Sequence, residues 1–119
     1  MDFKVLAVGD VVGGPGMARI RKSLRRLRQQ TGADFVIVNG ENAAVVGMTP
    51  QQAEDIFDAG ADVITMGNHT FGKRELVDYL EDNSRILRPA NYAPQAPGRG
   101  WGIYDSPRGD VAIIDLQGR

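Results

Sequence analysis

Three short apolar segments, spaced about thirty residues apart, constrain the fold of this chain more than any other feature of the sequence. They cover residues 3–8, 34–38 and 62–66, and each is apolar at nearly every position instead of alternating with polar residues. Continuous apolar runs of this length are typical of strands that are buried on both faces of a parallel sheet. The sequence therefore predicts three parallel strands at the centre of an α/β fold.

Helical patterns lie between and after these predicted strands. In the first, apolar residues recur at three- and four-residue steps, which predicts a helix that opens at Pro15. Its apolar positions are Met17, Ile20, Leu24 and Leu27. The second helix is predicted to begin with Thr49 as N-cap, Pro50 at the first helical position and Gln52 as the capping-box partner. A third helix is predicted over residues 73–81, so strands and helices alternate and the crossovers should be right-handed.

The last third of the chain follows a different pattern. Residues 86–87 are predicted to form a brief fourth strand, and a loop rich in proline and glycine follows. Residues 102–105 and 111–116 flank a Ser-Pro-Arg-Gly turn, which predicts an antiparallel hairpin. We therefore expect one layered α/β unit over residues 1–119, with a parallel sheet and a C-terminal β-hairpin.

Composition narrows the functional classes. The chain has 119 residues, 42% hydrophobic and 24% charged, and its 14 basic and 15 acidic residues give a net charge of −1, so no overall field favours nucleic acid or membrane. The absence of cysteine excludes a disulfide framework, cysteine-ligated zinc and a thiol nucleophile. The first apolar run ends before Asp10 and is too short for a signal peptide or a membrane span. The cytoplasm is therefore the expected location, with no role at a membrane.

Polar side chains of the metal-ligand type follow all three predicted strands. They are Asp10, Glu41, Asn42, Asn68 and His69, and His69 is the single histidine of the chain. Taken one at a time, each fits an ordinary turn or a helix cap. Because the carboxyl ends of parallel strands lie side by side, all five are expected to converge on one crevice. Their oxygen-rich chemistry suits Mn, Fe, Mg or Zn.

Two other functions remain open from the residues alone. Residues 9–16 form a glycine-rich segment between a strand and a helix, as in phosphate-binding loops, but they match neither the dinucleotide-binding nor the P-loop fingerprint. The first helix carries six basic residues within ten positions, which gives a weak indication of RNA binding. These are Arg19, Arg21, Lys22, Arg25, Arg26 and Arg28. A solvated helix face is the more frequent role of such a run.

The segments at the strand ends also resemble a known family. GDVVG at 9–13, NGENAA at 39–44 and TMGNHT at 65–70 look like the metal-site motifs of calcineurin-like metallophosphoesterases. More narrowly, they resemble the bacterial 2′,3′-cyclic-nucleotide 2′-phosphodiesterase family, to which RPAN at 88–91 and LQGR at 116–119 are also similar. The wider superfamily usually has a histidine where Val12 stands and an aspartate where Glu41 stands, which points to the narrower family.

This resemblance implies a phosphodiesterase with two metal ions and a cyclic nucleotide as substrate. Fe or Mn is the expected metal, in preference to Zn or Mg. Asp10 and Asn42 would bind the first metal, Glu41 would bridge both metals, and Asn68 would bind the second. A bridging carboxylate holds two cations about 3.5–4 Å apart, so that a shared hydroxide forms near neutral pH and attacks the phosphorus. His69 would act as the general acid that protonates the departing ribose oxygen.

The resemblance also implies that part of the site lies elsewhere. In the family, three histidines from a later half complete the metal ligands, whereas the single histidine here is the one assigned as the acid. We therefore expect residues 1–119 to be the N-terminal portion of one metallophosphoesterase domain, inactive on its own. Homo-oligomer formation stays open.

Overall fold

A four-stranded parallel sheet and a two-stranded antiparallel hairpin make up the strands of the computed structural model, which describes residues 2–118. The sheet contains β1 (Val5–Val8), β2 (Phe35–Asn39), β3 (Val63–Thr65) and β4 (Ile86–Leu87), and the hairpin contains β5 (Trp101–Tyr104) and β6 (Val111–Ile114). The helices are α1 (Gly13–Thr31), α2 (Pro50–Ala59) and α3 (Arg74–Asp82). The predicted α/β class, parallel sheet and C-terminal hairpin are confirmed.

The register of the sheet aligns the carboxyl ends of its strands. The strands lie in the order β1-β2-β3-β4, all parallel, with Val8 opposite Val38 and Asn39 opposite Thr65. Beyond Asn39, the Gly40 amide donates to the Thr65 carbonyl at 3.0 Å. A Cβ on Gly40 would lie 2.8 Å from the Met48 sulfur, so this strand end is closely packed. The segments that follow β1, β2 and β3 therefore leave the sheet at one edge.

Local signals account for the second helix in full and for the first in part. The Thr49 hydroxyl accepts from the Gln52 amide at 3.2 Å, and the Gln52 side chain accepts from the Thr49 amide at 3.0 Å, which completes the predicted capping box. The prediction that Pro15 opens α1 is wrong by two residues. The helix begins at Gly13, whose positive φ of 63° turns the chain from the strand-end loop into the helix.

The apolar stripe of α1 is buried over three of its four predicted positions. Met17, Ile20 and Leu24 belong to the main core beneath the helix. Leu27 is 42% exposed and lies with Arg26 and Gln30 on a shallow surface depression. Leu27 stays exposed because its position lies at the margin of the stripe set by the three buried residues.

The expectation that the central strands are covered on both faces is confirmed for β2 and β3 and is wrong for β1. Val5 is 48% exposed, because β1 is an edge strand of the sheet. On the second face, the hairpin packs over Phe35, Ile37, Val63 and Leu87, which belong to β2, β3 and β4. Coverage of that face therefore stops before β1.

The hairpin has an inner and an outer face. Tyr104, Val111 and Ile113 point inward and pack against the second core cluster. The outer face carries Trp101 and Ile114, which are paired across the strands, together with Ile103. These three side chains are 59%, 63% and 61% exposed, respectively.

Among the described residues, none of the helices combines the length and apolar character needed to cross a membrane.

Candidate functional site

Four of the five predicted site residues are joined by hydrogen bonds at the carboxyl edge of the sheet. Asp10 follows β1, Glu41 and Asn42 follow β2, and His69 follows β3. The chain brings them together because the three strands are parallel and end level with one another. Asn68 lies beside His69 with its side chain exposed. The structure therefore places all five predicted residues at one edge of the fold.

The Asn42 amide lies between Asp10 and His69, and its orientation is fixed by chemistry. Its Nδ2 donates to Asp10 Oδ1 at 2.8 Å, and its Oδ1 lies 2.8 Å from His69 Nδ1. A carboxylate can only accept, so the amide nitrogen must face Asp10 and the amide oxygen must face His69. It follows that His69 Nδ1 carries a proton and donates to Asn42.

The Glu41 carboxylate is held between the backbone and the imidazole that follow β3. Its Oε2 accepts from the His69 amide at 3.0 Å and lies 3.6 Å from His69 Nδ1. A Cβ on Gly67 would come within 2.3 Å of Glu41 Oε1, so only glycine leaves room for the carboxylate here. The side chain of Glu41 is 15% exposed, so the carboxylate is partly withdrawn from solvent and yet open at the edge.

The loop after β2 has a strained backbone next to the site. The Asn42 carbonyl accepts from the Gly13 amide at 3.1 Å and from the Val45 amide at 2.8 Å. Val45 has φ 70°, a left-handed conformation that β-branched residues rarely adopt. Asp10 also has a positive φ, of 36°. The segments that follow β1 and β2 therefore each contain a non-glycine residue with a positive φ.

Sequence analysis missed two residues that lie close to the Glu41 carboxylate. Asp115 follows β6 and is half-buried. The pKa of its carboxyl is raised to about 6, mainly by burial and further by the nearby negative charge of Glu41. Tyr92 lies in the loop after β4, and burial, followed by the charges of Glu41 and Asp115, raises the pKa of its phenol. Asp115 follows an apolar strand as Asp10 does, and that pattern was the available signal. Nothing in the sequence marks Tyr92.

The donor types at this edge suit a hard divalent cation, but they do not complete a coordination shell. Two carboxylates and two amides supply oxygen donors, which are the ligands that Mg²⁺ and Mn²⁺ accept. Among residues 2–118, no three His, Asp or Glu side chains gather closely enough to hold a metal ion. The residues present therefore fit part of a metal site.

Half of the basic residues of α1 have structural contacts. Arg21 pairs with Asp55 at 2.9 Å, and Arg28 pairs with Asp62 at 2.8 Å. Arg25 donates to the carbonyl of Asp58. These contacts attach α1 to α2 and to the start of β3. The other basic residues of the run, which are exposed, are Arg19, Lys22 and Arg26.

Comparison with known proteins gives a relative of stated activity. The chain is 39% identical over 118 residues to the 2′,3′-cyclic-nucleotide 2′-phosphodiesterase of Bacillus subtilis (strain 168). The match covers 98% of this chain and 45% of that protein. The chain thus spans less than half the length of this relative.

Two solved structures share the fold over nearly the whole chain. A Thermus thermophilus protein described as hypothetical superposes with a TM-score of 0.88 at 30% identity, covering 97% of this chain and 45% of that one. A structure described as a novel phosphatase from Mycoplasma pneumoniae superposes with a TM-score of 0.85 at 31% identity, covering 98% and 43%. The sequence profile described as "YmdB-like protein" matches residues 6–119. The chain therefore belongs to the YmdB-like protein family.

Proposed function

We propose that this chain is the N-terminal portion of a metal-dependent phosphodiesterase domain that hydrolyses cyclic nucleotides. The observation that carries the proposal is the hydrogen-bonded group of Asp10, Asn42, His69 and Glu41 at the ends of three parallel strands. The stated activity of the Bacillus subtilis relative supports the reaction class. The novel phosphatase from Mycoplasma pneumoniae supports phosphate-ester chemistry on this fold.

Two metal ions would be held in part by the oxygen donors of this chain. Fe or Mn is expected in preference to Zn or Mg. Asp10 and Asn42 would hold the first ion, Glu41 would bridge the two, and Asn68 would hold the second. When bound, the ions supply Lewis-acid polarisation of the phosphoryl oxygens. The place of Gly67 under Glu41 supports the bridging role, because it leaves the carboxylate free of side-chain cover on that side.

His69 would serve as the general acid for the leaving oxygen. Since Nδ1 donates to Asn42, proton transfer to substrate falls to Nε2, which carries a proton only in the imidazolium form. The Glu41 carboxylate lies 3.6 Å from Nδ1 and accepts from the His69 backbone amide. Asn42 and Glu41 thus hold the imidazole in place, while Nε2 would deliver the proton to the ribose oxygen.

The test measures Mn²⁺ binding to the 119-residue chain by calorimetry. We expect Glu41→Gln to weaken binding at least tenfold, and the matched change Glu54→Gln on the exposed side of α2 to leave it unaltered. Equal binding by both variants would contradict the assignment of Glu41. Failure of the unsubstituted chain to bind Mn²⁺ or Fe²⁺ at all would remove the metal site from this half of the domain.

The proposal also predicts that the chain alone does not turn over substrate. With Mn²⁺ present, hydrolysis of a 2′,3′-cyclic nucleotide by the isolated chain should not exceed that of Mn²⁺ alone, because part of the ligand set is missing from residues 2–118. Hydrolysis at an enzyme-like rate would show that these residues suffice.

A nucleotide- or RNA-binding module without catalysis is the alternative, favoured by the exposed Arg19, Lys22 and Arg26 of α1. Removal of metal by a chelator separates the two functions, since an electrostatic RNA contact would survive it and fall steeply with salt. Neutralising these three residues would then abolish the binding. Homo-oligomer formation and the cytoplasmic location stay predictions.

A further inference from the structure

Two sequence motifs that the proposed chemistry does not use meet in space next to the site. RPAN at 88–91 and LQGR at 116–119 are joined by a reciprocal pair of hydrogen bonds. The Asn91 side chain donates to the Gln117 carbonyl at 2.7 Å and accepts from the Gln117 amide at 3.0 Å. The buried Arg88 donates to three carbonyls of the loop that follows, which fixes the loop that carries Asn91.

This joint is attached to the loop after β3 through Tyr92. The Tyr92 hydroxyl lies 3.0 Å from the Gly67 carbonyl oxygen and 2.9 Å from Gln117 Oε1. The Gly67 carbonyl can only accept, so it takes the single hydroxyl proton. The Gln117 side-chain amide then donates to the hydroxyl oxygen through its NH₂ group. This requires only that the amide oxygen and nitrogen exchange places, which leaves the shape of the planar amide unchanged. Tyr92 therefore links the C-terminal segment to the backbone of the site loop.

A second attachment lies one residue earlier in the same loop. Asp115 Oδ2 accepts from the Met66 amide at 3.0 Å, and the Asp115 carbonyl accepts from the Ala90 amide at 2.6 Å. Met66 is 2% exposed, and its amide also donates to the Leu87 carbonyl at 2.9 Å. Asp115 thus adds a side-chain acceptor to the backbone hydrogen bond that joins the end of β3 to β4.

The other side of the loop faces the candidate ligands. The Gly67 backbone packs against the Glu41 carboxylate, and the His69 amide donates to Glu41 Oε2. The loop over residues 66–69 is therefore held between the C-terminal segment on one side and Glu41 on the other. Movement of Gly67 by a few tenths of an ångström would change the contact with Glu41 and the position of His69.

We propose that four residues of the C-terminal segments form a strand-end clamp that positions the 66–69 loop for metal binding and proton transfer. The clamp comprises Asn91, Tyr92, Asp115 and Gln117. These are positioning residues, since they act on Asn68 and His69 through the backbone of the loop. The catalytic meaning of the clamp rests on the proposed function, whereas its mechanical effect on the loop does not.

The single histidine makes the clamp measurable in the metal-free chain. We expect Tyr92→Phe, which removes only the hydroxyl, to shift the His69 imidazole resonance and to speed exchange of the His69 amide about tenfold by loosening the loop. Tyr104→Phe is the matched control, because its hydroxyl also donates to a backbone carbonyl, that of Ser84 at 2.6 Å. We expect the control to leave both His69 signals unchanged.

Asp115 provides a rescue experiment. Asp115→Ala removes one of the two acceptors of the Met66 amide, leaving the Leu87 carbonyl, and should alter the His69 signals, whereas Asp115→Asn retains the side-chain oxygen acceptor and should restore most of them. Exchange rates are compared at equal global stability, measured by urea unfolding. If Asp115→Ala fails to fold, Tyr92→Phe and Gln117→Ala carry the test.

The results separate the clamp from the proposed function. His69 signals in Tyr92→Phe that match those of Tyr104→Phe, or a faster exchange that is uniform over the whole chain, would overturn the clamp. If the clamp readouts respond and the unsubstituted chain binds no Mn²⁺, the clamp stands and the proposed metal site fails. If both hold, Tyr92→Phe should also weaken Mn²⁺ binding several-fold, and an unaltered affinity would overturn the role of the clamp in metal binding.

Discussion

Val45 has an unfavourable backbone conformation next to the candidate site. Its left-handed backbone, with φ 70°, brings its amide to the Asn42 carbonyl at 2.8 Å. Its side chain is 64% exposed, so burial of the isopropyl group does little to offset the cost. For an L residue other than glycine, this conformation costs about 1–2 kcal/mol. The loop therefore contains strain beside a candidate ligand, a pattern common at functional sites.

Val45→Asn should stabilise the chain. Asparagine tolerates the left-handed region, and unlike glycine it adds little backbone freedom to the unfolded chain, so we expect a gain of about 1 kcal/mol in the free energy of unfolding. Urea unfolding followed by circular dichroism measures it. Val46→Asn, at a neighbouring residue that is 46% exposed, controls for the loss of an apolar side chain and should give no gain. A Val45→Asn variant that is less stable than the unsubstituted chain would contradict the account of strain.

At the residue scale, the sequence predicted which side chains come together where the residue type itself marked the position. Asp10, Glu41, Asn42 and His69 lie within a few residues of the ends of apolar runs, and the parallel sheet brings such positions together. Asp115 and Tyr92 were missed because the contacts that join them to the loop after β3 are with backbone atoms. Asp115 meets an amide 49 residues away, and Tyr92 meets a carbonyl 25 residues away. Any residue offers such atoms, so only the tertiary fold identifies the partners.

At the scale of elements, the predictions succeeded where the signal was local and failed where it depended on a neighbour. The capping box of α2 involves residues three apart and was predicted in full. The exposed face of β1 was not, because coverage of a strand depends on where the hairpin packs. Likewise, an apolar alternation in β5 and β6 marks strands but does not tell which of two apolar faces lies inside.

The same substitution should change the stability of the chain by different amounts on the two faces of the hairpin. Ile113→Thr on the inner face should cost about 1–3 kcal/mol of stability, because it places a hydroxyl in an apolar contact with the second core cluster. Ile114→Thr on the outer face should change stability by less than about 0.5 kcal/mol, because the side chain is already 63% exposed. Urea midpoints of the two variants, made one residue apart with the same chemistry, measure the difference.

The outer-face substitution also tests the self-association of the chain. Trp101, Ile103 and Ile114 form a contiguous exposed apolar surface on the two paired strands, and such patches promote association. Ile114→Thr should therefore reduce light scattering in concentrated solutions. Equal losses of stability in Ile113→Thr and Ile114→Thr would contradict the assignment of the faces.

At the scale of the whole molecule, the chain is a continuous piece of its family fold with part of a site. The superpositions include 97–98% of this chain and 43–45% of the matched structures. Both carboxylates and both amides of the predicted metal set lie at one edge, in line with the family resemblance.

The pH dependence of global stability should contain a contribution from Asp115. Burial raises the pKa of its carboxyl from an ordinary 3.8 to about 6, so between these values the folded chain binds more protons than the unfolded chain. The stability from this group is present below about pH 4 and is lost as the pH rises through 6. Asp115→Asn, which stays neutral, should therefore be more stable than the unsubstituted chain at pH 7.5, with the difference vanishing near pH 4.

Urea unfolding at several pH values measures this difference. Asp105→Asn, at an exposed residue after β5, is the control and should follow the unsubstituted chain at every pH. A difference between Asp115→Asn and the unsubstituted chain that grew as the pH fell would reverse the sign and contradict the raised pKa.

The close packing at the end of β2 has a consequence for the chemical lifetime of the polypeptide. Asn39 and Gly40 form an Asn-Gly pair, a dipeptide prone to deamidation, in which the glycine nitrogen attacks the asparagine side-chain carbonyl, a succinimide ring closes and the side-chain nitrogen leaves as ammonia. In the fold, that nitrogen donates to Thr65, and Gly40 is buried against Met48. Ring closure therefore requires the strand end to open. Deamidated product should therefore accumulate slowly, in proportion to the time that this part of the chain spends unfolded.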